Sequence, residues 1–565
     1  MHPHRPGFGP RGARGDGGAE ARPGDGAIPL LPSLRLRNPP LPRDGGRARR
    51  HGAPPFQPLE YVMSDNLFAL AAASAARGPD RPFLTTPQGL RLSYREMVEG
   101  AGRYANALAG LGVRPGDRVA VQVEKSPVAV LLYLGCLRAG AVYLPLNTGY
   151  TLAELDYFIG DAEPAVIVCA PAAAEGVAAL ARGAKVETLD ARGEGTLADK
   201  AAAAPTTFAE VACGPDDLAA ILYTSGTTGR SKGAMLTHAN LVSNAQVLAR
   251  EWRFTEADVL LHALPIFHVH GLFVALNTTL AAGSSVMFLA KFDPEAVIAG
   301  LPEASVMMGV PTFYTRLLQE PRLDRDLTRG VRLFVSGSAP LLADTHRQWR
   351  ERTGHAILER YGMTETGMNT SNPYDGERVA GTVGPPLPGV EVRITDPESG
   401  REIPQGEIGM IEVRGPNVFK GYWRMPEKTA AEFRADGFFI TGDLGLIDGR
   451  GYVQIVGRGK DLVISGGYNV YPKEVETEID ALPGVVESAV IGLPHPDFGE
   501  GVTAVVAVER EAALTETAVL EALAGRLAGF KRPKRVLFVE DLPRNTMGKV
   551  QKAALRERWK DLYRC

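Results

Sequence analysis

One stretch limits what this chain can fold into more than any other: residues 223–233, which read YTSGTTGRSKG. The apolar run before it, residues 218–222, is typical of a short buried strand. Three glycines let the backbone approach a ligand closely, while five hydroxyl side chains and Lys232 add donors and positive charge. This composition predicts a polyphosphate-binding loop rather than a flexible linker. Its glycine spacing, and the lack of Ser or Thr after Lys232, exclude the GxxxxGK[ST] phosphate loop.

The loop resembles the phosphate-binding loop of the adenylate-forming superfamily, which comprises acyl-CoA synthetases, adenylation domains of peptide synthetases, and luciferases. Further matches, given below, run from about residue 66 to the C-terminus. The resemblance implies that the loop binds ATP through a set of hydroxyl, glycine and lysine residues: Thr224, Ser225, Gly226, Thr227, Thr228, Gly229 and Lys232.

Size and composition limit the kinds of molecule that this protein is expected to bind. A chain of 565 residues can hold several folding units, and a net charge of −3 argues against a nucleic-acid partner. The apolar runs fall short of the ~20 residues that a membrane span requires. Four cysteines without metal or disulfide spacing indicate a reducing compartment. We therefore expect a cytoplasmic protein that acts on small molecules, with no nucleic-acid or membrane partner.

Residues 1–62 differ from the remainder, since they are rich in Gly, Pro and Arg and have no apolar period. Acidic residues such as Asp16 and Glu20 oppose a mitochondrial leader. We expect a disordered tail, and leave open whether it belongs to the native protein. The folded protein is predicted to comprise an N-terminal adenylate-forming domain, residues 63–459, and a C-terminal lid domain, residues 460–565.

Strands alternate with helices in the large N-terminal region. The patterns predict a helix over 94–109, a strand over 118–123, a helix over 126–139 and a strand over 142–145. This alternation indicates parallel sheets with βαβ crossovers, which bind ligands beyond the carboxyl ends of their strands. The resemblance implies an α/β protein: doubly wound sheets plus a β-subdomain in a large N-terminal domain, and a small mobile α+β lid domain at the C-terminus.

Three later segments resemble the nucleotide site of the superfamily. They read LFVSGSAP (333–340), ILERYGMTET (357–366) and FITGDLG (439–445). The resemblance implies that Tyr361 stacks on adenine, that Thr364 contacts the α-phosphate, and that Asp443 binds the ribose. Glu365, with Thr224, is implied to hold Mg²⁺, which takes one or two carboxylates plus phosphate oxygens. The implied ATP-binding residues of these segments and the following strand are Gly337, Ser338, Tyr361, Gly362, Met363, Thr364, Asp443 and Arg458.

The C-terminal region supplies the remaining parts. The resemblance places the hinge at Lys460, and it places CoA beside Ser465, Gly466 and Gly467. PRNTMGK (543–549) resembles the loop that carries the catalytic lysine, Lys549. The implied catalytic residues are Lys549, Glu365, Thr364 and Lys232. An enzyme that acylates or deacylates Lys549 is a further expected partner, because acylation would remove its charge.

Arginines near the presumed acyl pocket indicate the substrate. Arg360 immediately precedes the YGMTE string, where most relatives carry a small or neutral residue, and Arg316 is predicted on the facing wall. Two cations in one buried site would be costly without an anionic partner, so we expect a short dicarboxylate. The residues expected to hold it are Arg316, Arg360, Ser338, His270 and His268.

These features resemble the malonyl-CoA synthetases within the superfamily. The expected reaction converts malonate, ATP and CoA to malonyl-CoA, AMP and pyrophosphate, and methylmalonate is expected to be accepted too. Two alternatives stay open. One is an acyl-CoA synthetase for another short or aromatic acid, and the other is a catalytically silent nucleotide-binding regulator of the same fold. A pairing of Arg360 with a protein carboxylate such as Glu359 would remove the argument for a diacid.

Overall fold

The computed structural model describes residues 66–224, 231–509, 512–545 and 548–563. The predicted tail therefore lies outside the described residues. So does the centre of the phosphate loop, which contains five of the predicted ATP-binding residues: Ser225, Gly226, Thr227, Thr228 and Gly229.

Strands run through the whole of the described chain. In chain order they are β1 (Pro82–Thr85), β2 (Arg91–Ser93), β3 (Arg118–Gln122), β4 (Val142–Pro145), β5 (Val166–Cys169), β6 (Lys185–Thr188), β7 (Leu218–Thr224), β8 (Lys232–Thr237), β9 (Val259–His262), β10 (Ser285–Phe288), β11 (Val306–Gly309), β12 (Leu333–Ser336), β13 (Leu358–Met363), β14 (Gly367–Ser371), β15 (Glu391–Thr395), β16 (Gly409–Arg414), β17 (Gly421–Tyr422), β18 (Phe439–Ile447), β19 (Val453–Arg458), β20 (Val463–Ser465), β21 (Tyr468–Val470), β22 (Val485–His495), β23 (Gly499–Val508) and β24 (Arg535–Val539).

Helices alternate with these strands. In chain order they are α1 (Phe68–Arg77), α2 (Tyr94–Gly110), α3 (Pro127–Arg138), α4 (Leu152–Ala162), α5 (Ala174–Ala178), α6 (Thr196–Ala203), α7 (His238–Glu251), α8 (Asn277–Ala282), α9 (Pro294–Gly300), α10 (Pro311–Leu317), α11 (Ala343–Thr353), α12 (Pro426–Ala431), α13 (Pro472–Asp480), α14 (Glu516–Ala524) and α15 (Lys552–Trp559). No helix in the described part of the chain is long and apolar enough to cross a membrane.

Two large mixed sheets form the centre of the N-terminal domain. One has the order β14-β13-β12-β11-β9-β10-β1-β2, and the other has the order β17-β8-β7-β4-β3-β5-β6. Their central strands are parallel, while β2, β14, β8 and β17 pair antiparallel. Strands β4, β5, β11 and β12 are buried at every position, as parallel strands covered by helices on both faces must be.

Two smaller sheets complete the fold. Strands β15, β16, β18 and β19 form an antiparallel sheet, the predicted β-subdomain. The C-terminal domain contains β21-β20-β23-β22, with β24 parallel to β23. Apolar residues of α13 and α14, among them Val475 and Leu523, pack against this last sheet. The α/β class, with a large N-terminal and a small α+β C-terminal domain, is therefore confirmed.

Local sequence explains where the elements begin. The predicted helix over 94–109 is α2, which starts at a capping box formed by Ser93 and Glu96. Helix α7 starts at a second capping box, in which Thr237 and Asn240 bond each other's backbone directly after β8. This cap fixes the chain just beyond the phosphate loop, and the antiparallel pairing of Thr224 with Lys232 fixes both ends of that loop.

Candidate active site

Three clusters of predicted site residues lie near enough to Lys549 for their charges to act on it. The phosphate-loop cluster contains Thr224, Lys232 and Glu365; the Asp443 cluster contains Tyr361, Asp443 and Arg458; the Arg360 cluster contains Arg360, His268, His270 and Ser338. Desolvation is the largest influence on the pKa of the Lys549 ammonium and lowers it; Arg458 and Arg360 lower it further, and Asp443 and Glu365 raise it. Residues from distant parts of the chain therefore converge on one cleft.

The phosphate-loop cluster lies where β7 ends. Thr224 Oγ1 lies 3.4 Å from Glu365 Oε1, and Lys232 Nζ lies 3.2 Å from Glu432 Oε1. Glu365 is 5 % exposed, and burial raises the pKa of its carboxyl. Thr364, its neighbour in the turn between β13 and β14, is only partly buried. The cluster therefore offers a carboxylate, a hydroxyl and a cation beside the predicted triphosphate position.

This donor set fits a magnesium ion that arrives with its nucleotide. Among the residues that the structure describes, no group of three or more His, Cys, Asp or Glu side chains could hold a metal on its own. Mg²⁺ commonly binds one or two carboxylates and completes its coordination with phosphate oxygens and water. The buried Glu365 carboxyl beside the Thr224 hydroxyl matches that requirement.

The Asp443 cluster depends on strand register. Asp443 on β18 is paired directly with Arg458 on β19, and Arg458 Nε lies 2.8 Å from Asp443 Oδ1. The Tyr361 hydroxyl donates to Asp443 Oδ2 at 2.5 Å. Because Asp443 is 4 % exposed, this charge-assisted pair is held in a fixed position. The cluster presents an oriented carboxylate, the group expected to accept hydrogen bonds from ribose hydroxyls.

The Arg360 cluster is built on glycine and a strained serine. A Cβ atom at Gly337 would lie 2.4 Å from Arg360 Cζ, so the guanidinium occupies the space that a larger residue at position 337 would need. Ser338 has a φ of +71°, uncommon for a residue with a side chain, and its hydroxyl lies 3.1 Å from His270 Nδ1. The backbone turn after β12 therefore brings Ser338, His270 and Arg360 together.

Arg360 is a buried cation without an acidic partner in the described chain. It is 4 % exposed, and its Nε and Nη2 atoms are buried without a hydrogen-bond partner. Burial lowers its pKa to about 9, so the side chain remains charged at neutral pH. Glu359 instead accepts a hydrogen bond from the Gly381 backbone at 3.3 Å. The alternative that Glu359 pairs with Arg360 is wrong, because consecutive strand residues point to opposite faces.

The histidines of this cluster are neutral. Burial, followed by the charges of Lys549 and Arg360, lowers the pKa of His268 to about 3. Burial and Arg360 also lower the pKa of His270 well below its ordinary value. His270 Nε2 is buried without a hydrogen-bond partner. The cluster thus combines one fixed positive charge with neutral hydrogen-bonding groups.

Arg316 differs from the sequence prediction. It lies on α10, whose buried residues are Tyr314 and Leu317, and its own side chain is exposed. Its position around the helix axis turns it away from the face that packs on the sheet. The structure therefore buries one guanidinium group in the predicted carboxylate site, whereas the sequence predicted two.

Glu359 itself makes a pH-dependent contribution to stability. Burial raises its pKa from 4.5 to about 8, opposed by backbone hydrogen bonds and the charge of Lys473. Between these two pH values the folded protein holds a proton that the unfolded chain releases, so stability falls as pH rises. We expect Glu359→Gln to match the wild type in melting temperature near pH 5 and to exceed it at pH 8–9. The melting temperatures are measured by thermal unfolding. If the difference in melting temperature between Glu359→Gln and the wild type were the same at pH 5 and at pH 8–9, Glu359 would not have the raised pKa.

Contacts of described residues of the C-terminal domain hold the backbone next to Lys549. The Lys549 N–H donates to Asn545 Oδ1 at 3.0 Å, and Arg544 Nη1 donates to the Gly548 carbonyl at 2.7 Å. A Cβ at Gly548 would lie 3.2 Å from Thr312 Oγ1 of α10, so Gly548 lies against the N-terminal domain. The Lys549 residue is exposed, and desolvation, followed by the charge of Arg458, lowers the pKa of its ammonium.

The predicted CoA residues lie in an open turn of the C-terminal domain. Gly466 and Gly467 form the turn between β20 and β21 with φ values of +61° and +81°. A Cβ at Gly466 would meet only Phe498, at 3.6 Å, and one at Gly467 would meet nothing within 4 Å. Ser465 is buried beneath the turn. The structure thus brings Lys549 into the cleft and leaves the glycine turn open.

The predicted hinge lies in a 3₁₀ turn. Lys460 is the exposed central residue of Gly459–Asp461. The next residue, Asp461, pairs with Arg556 Nη2 of α15 at 2.6 Å. Lys460 itself is exposed, which suits the predicted role of a hinge residue.

Sequence reasoning missed four residues that support these clusters. Tyr422 and Glu432 contact the phosphate-loop cluster. Lys125 Nζ lies 2.9 Å from His262 Nδ1, and His262 Nε2 lies 2.8 Å from the Gly271 carbonyl, at the start of the π-helical turn that includes His270. The contacts of Tyr422 with Glu365, of Lys125 with His262 and of Glu432 with Lys232 join positions 57, 137 and 200 residues apart, so no local motif indicates them.

This fold and these clusters define a nucleotide-dependent enzyme, and comparison with known proteins identifies the family. The chain belongs to the AMP-binding enzyme family, whose model matches residues 71–423, and the model of the AMP-binding enzyme C-terminal domain matches residues 474–549.

Three relatives show what the chain is similar to. A crystal structure of ATP-bound MatB from Rhodopseudomonas palustris shares 65% sequence identity and a TM-score of 0.88, covering 89% of this chain and 100% of that chain. A feruloyl-CoA synthase from Amycolatopsis sp is 39% identical over 83% of this chain and 94% of its own length. A malonate–CoA ligase from Arabidopsis thaliana is 37% identical over 84% of this chain and 83% of its own length.

Proposed function

We propose that this protein is an AMP-forming malonate–CoA ligase. It converts malonate, ATP and CoA to malonyl-CoA, AMP and pyrophosphate through a malonyl-adenylate. The observation that supports a dicarboxylate substrate is the buried guanidinium of Arg360, which has no acidic partner in the described chain. An isolated buried charge is expensive, and a substrate that brings a second carboxylate offsets that cost by pairing with it.

In the first half-reaction one malonate carboxylate attacks the α-phosphorus of ATP. The new P–O bond forms as the bond to the bridging oxygen of pyrophosphate breaks, and pyrophosphate leaves with the electron pair. Lys549 stabilises charge on the α-phosphate and the attacking carboxylate, Thr364 contacts the α-phosphate, and Lys232 faces the departing pyrophosphate. These groups act by positioning and by electrostatic stabilisation.

Magnesium, when bound with ATP, would be held by Glu365 and Thr224 and would neutralise phosphate charge. Tyr361 and Asp443 orient the nucleoside, with Arg458 fixing the Asp443 carboxylate. Arg360 clamps the far carboxylate of malonate, with His268, His270 and Ser338 around it. Arg316, which is exposed on α10, remains a predicted contact of the substrate carboxylate.

The second half-reaction uses a different face of the C-terminal domain. The CoA thiolate attacks the carbonyl carbon of malonyl-adenylate, and AMP leaves with the electrons of the C–O bond. We propose that residues 460–565 rotate about Lys460 relative to residues 63–459. This rotation withdraws Lys549 and carries Ser465, Gly466 and Gly467 to the cleft, where the glycines leave room for pantetheine.

An aromatic-acid ligase is the competing reading, since a feruloyl-CoA synthase is among the relatives. An aromatic substrate would bury Arg360 against an apolar ring and leave the charge unpaired. Methylmalonate adds one methyl group, which a pocket usually discriminates by only ~10–200-fold, so we expect it to be used as well.

The test is ATP–pyrophosphate exchange with malonate, methylmalonate, succinate, acetate and ferulate. Malonate is expected to support the fastest exchange, and acetate is expected to fall behind by up to ~10⁴-fold because the guanidinium would stay unpaired. Equal exchange with acetate, or a preference for ferulate, would contradict the proposal.

A further inference from the structure

Tyr422 lies beside the strand that leaves the phosphate loop. It belongs to β17, which pairs antiparallel with β8 so that Tyr422 stands opposite Ala234. The next backbone N–H, that of Trp423, donates to the Gly233 carbonyl at 2.7 Å. Tyr422 is 2 % exposed, so its position relative to the loop is fixed by a strand pairing and by burial.

Tyr422 contacts two residues of the phosphate-loop cluster, Lys232 and Glu365. Its ring lies below Lys232, with Nζ 4.0 Å from the ring centroid. Its hydroxyl lies 3.1 Å from Glu365 Oε1 and 2.6 Å from Glu432 Oε2. One buried side chain therefore supports the lysine through its π-face, and its hydroxyl, which has a single proton to donate, lies between the Glu365 and Glu432 carboxyl groups.

Glu432 completes the arrangement just beyond α12. Its Oε1 atom lies 3.2 Å from Lys232 Nζ and 2.7 Å from Lys428 Nζ, while Oε2 accepts from Tyr422. Burial opposes ionisation, but hydrogen bonds from Lys428 and Tyr422 and the charge of Lys232 lower the pKa of Glu432. It is therefore a carboxylate at neutral pH, and its side chain contacts two lysines and a hydroxyl in the described part of the chain.

We infer that Tyr422 and Glu432 are positioning residues for Mg·ATP: Tyr422 orients the Glu365 carboxylate, and Glu432 holds the Lys232 ammonium toward the triphosphate. The inference rests on the proposed function of the site as an ATP site. The lysine side chain is flexible and carries a point charge. Because the Glu432 carboxylate and the Tyr422 ring already restrict Lys232, less conformational entropy of this side chain is lost when ATP binds. Partners of a metal ligand similarly fix its orientation.

The inferred roles of Tyr422 and Glu432 predict different effects of their substitution on nucleotide binding. Tyr422→Phe keeps the ring next to Lys232 and removes the hydroxyl that lies against both Glu365 and Glu432, so it is expected to raise the Mg²⁺ concentration needed for half-maximal ATP binding by ~10–100-fold. Glu432→Gln keeps the shape and removes the charge that holds Lys232. It is expected to weaken ATP binding ~10-fold in magnesium and in EDTA alike, a loss of about 1.4 kcal/mol.

Isothermal titration of the full-length protein with ATP, with no carboxylic acid present, measures both effects. Lys428→Gln is the matched control, because it removes the half-exposed partner of Glu432 and leaves Lys232 in place; wild-type affinity is expected. Melting temperatures verify that each variant is folded. Wild-type magnesium dependence in Tyr422→Phe, or wild-type ATP affinity in Glu432→Gln, would overturn the inference. Because no acid is used, this result is independent of whether malonate proves to be the substrate.

Discussion

Replacing Arg360 with methionine is expected to remove malonate-dependent turnover while leaving the ligand-free protein as stable as the wild type or more so. Methionine keeps an unbranched side chain of similar length over Gly337 and lacks the charge. Losing one partner of a buried ion pair costs about 3–5 kcal/mol, which corresponds to a fall of roughly 10²–10⁴ in kcat/KM for malonate.

The melting temperature of Arg360→Met distinguishes a role of Arg360 in substrate binding from a role in folding stability. Without substrate, the Arg360 guanidinium has buried nitrogens that lack partners, so its removal deletes a desolvation cost rather than a contact. Substitutions of buried charges by apolar residues of similar volume are often neutral or stabilising. Thermal unfolding without malonate is therefore expected to show no decrease in melting temperature, and malonate is expected to raise it only in the wild type.

Two other arginines supply the comparison. Arg350→Met removes an exposed guanidinium of α11 outside the proposed site and is expected to leave malonate kinetics unchanged. Arg316→Met is expected to cost less than Arg360→Met, because an exposed charge is screened by water. Undiminished malonate turnover in Arg360→Met would remove the main support for a diacid substrate.

The fold could be predicted because its signals are local. The run at 142–145 is strand β4 with the predicted bounds, and the helix predicted over 94–109 ends one residue later in the structure. Apolar periodicity and caps act within a few residues of the chain, so they can be read without tertiary information. The mixed direction of the two large sheets follows from β8, β14 and β17, whose partners the local pattern does not specify.

The site was predictable only where one motif carries several of its residues. Tyr361 and Glu365 lie in one string, and the structure brings both to the cleft. Arg316 shows what the sequence alone could not predict. Its residue type indicated a charge, but the rotation of α10 about its axis determines where that charge points. Glu432 is a second example, since it contacts a lysine 200 positions earlier in the chain, and no pattern near either residue indicates the contact.

Replacing Lys549 with methionine is expected to stop the first half-reaction and to spare the second. Charges of all three clusters act on Lys549, which belongs to the C-terminal domain, and removal of one electrostatic stabiliser of a transition state typically costs ~10²–10³-fold. ATP–pyrophosphate exchange with malonate should fall by about that factor. Malonyl-CoA formation from supplied malonyl-adenylate and CoA should remain near the wild-type rate, because Lys549 leaves the cleft in the proposed rotation.

Lys560→Met is the matched control, since it removes another exposed lysine of the same domain, one paired with Glu557; both half-reactions should be preserved. Equal losses in both half-reactions of Lys549→Met would indicate a structural role in domain packing, and no loss in either would exclude Lys549 from the chemistry. Acylation of the Lys549 amine would remove the same positive charge. A modified protein should therefore reproduce the split of the methionine variant, with exchange lost and thioester formation retained, and removal of the acyl group should restore exchange.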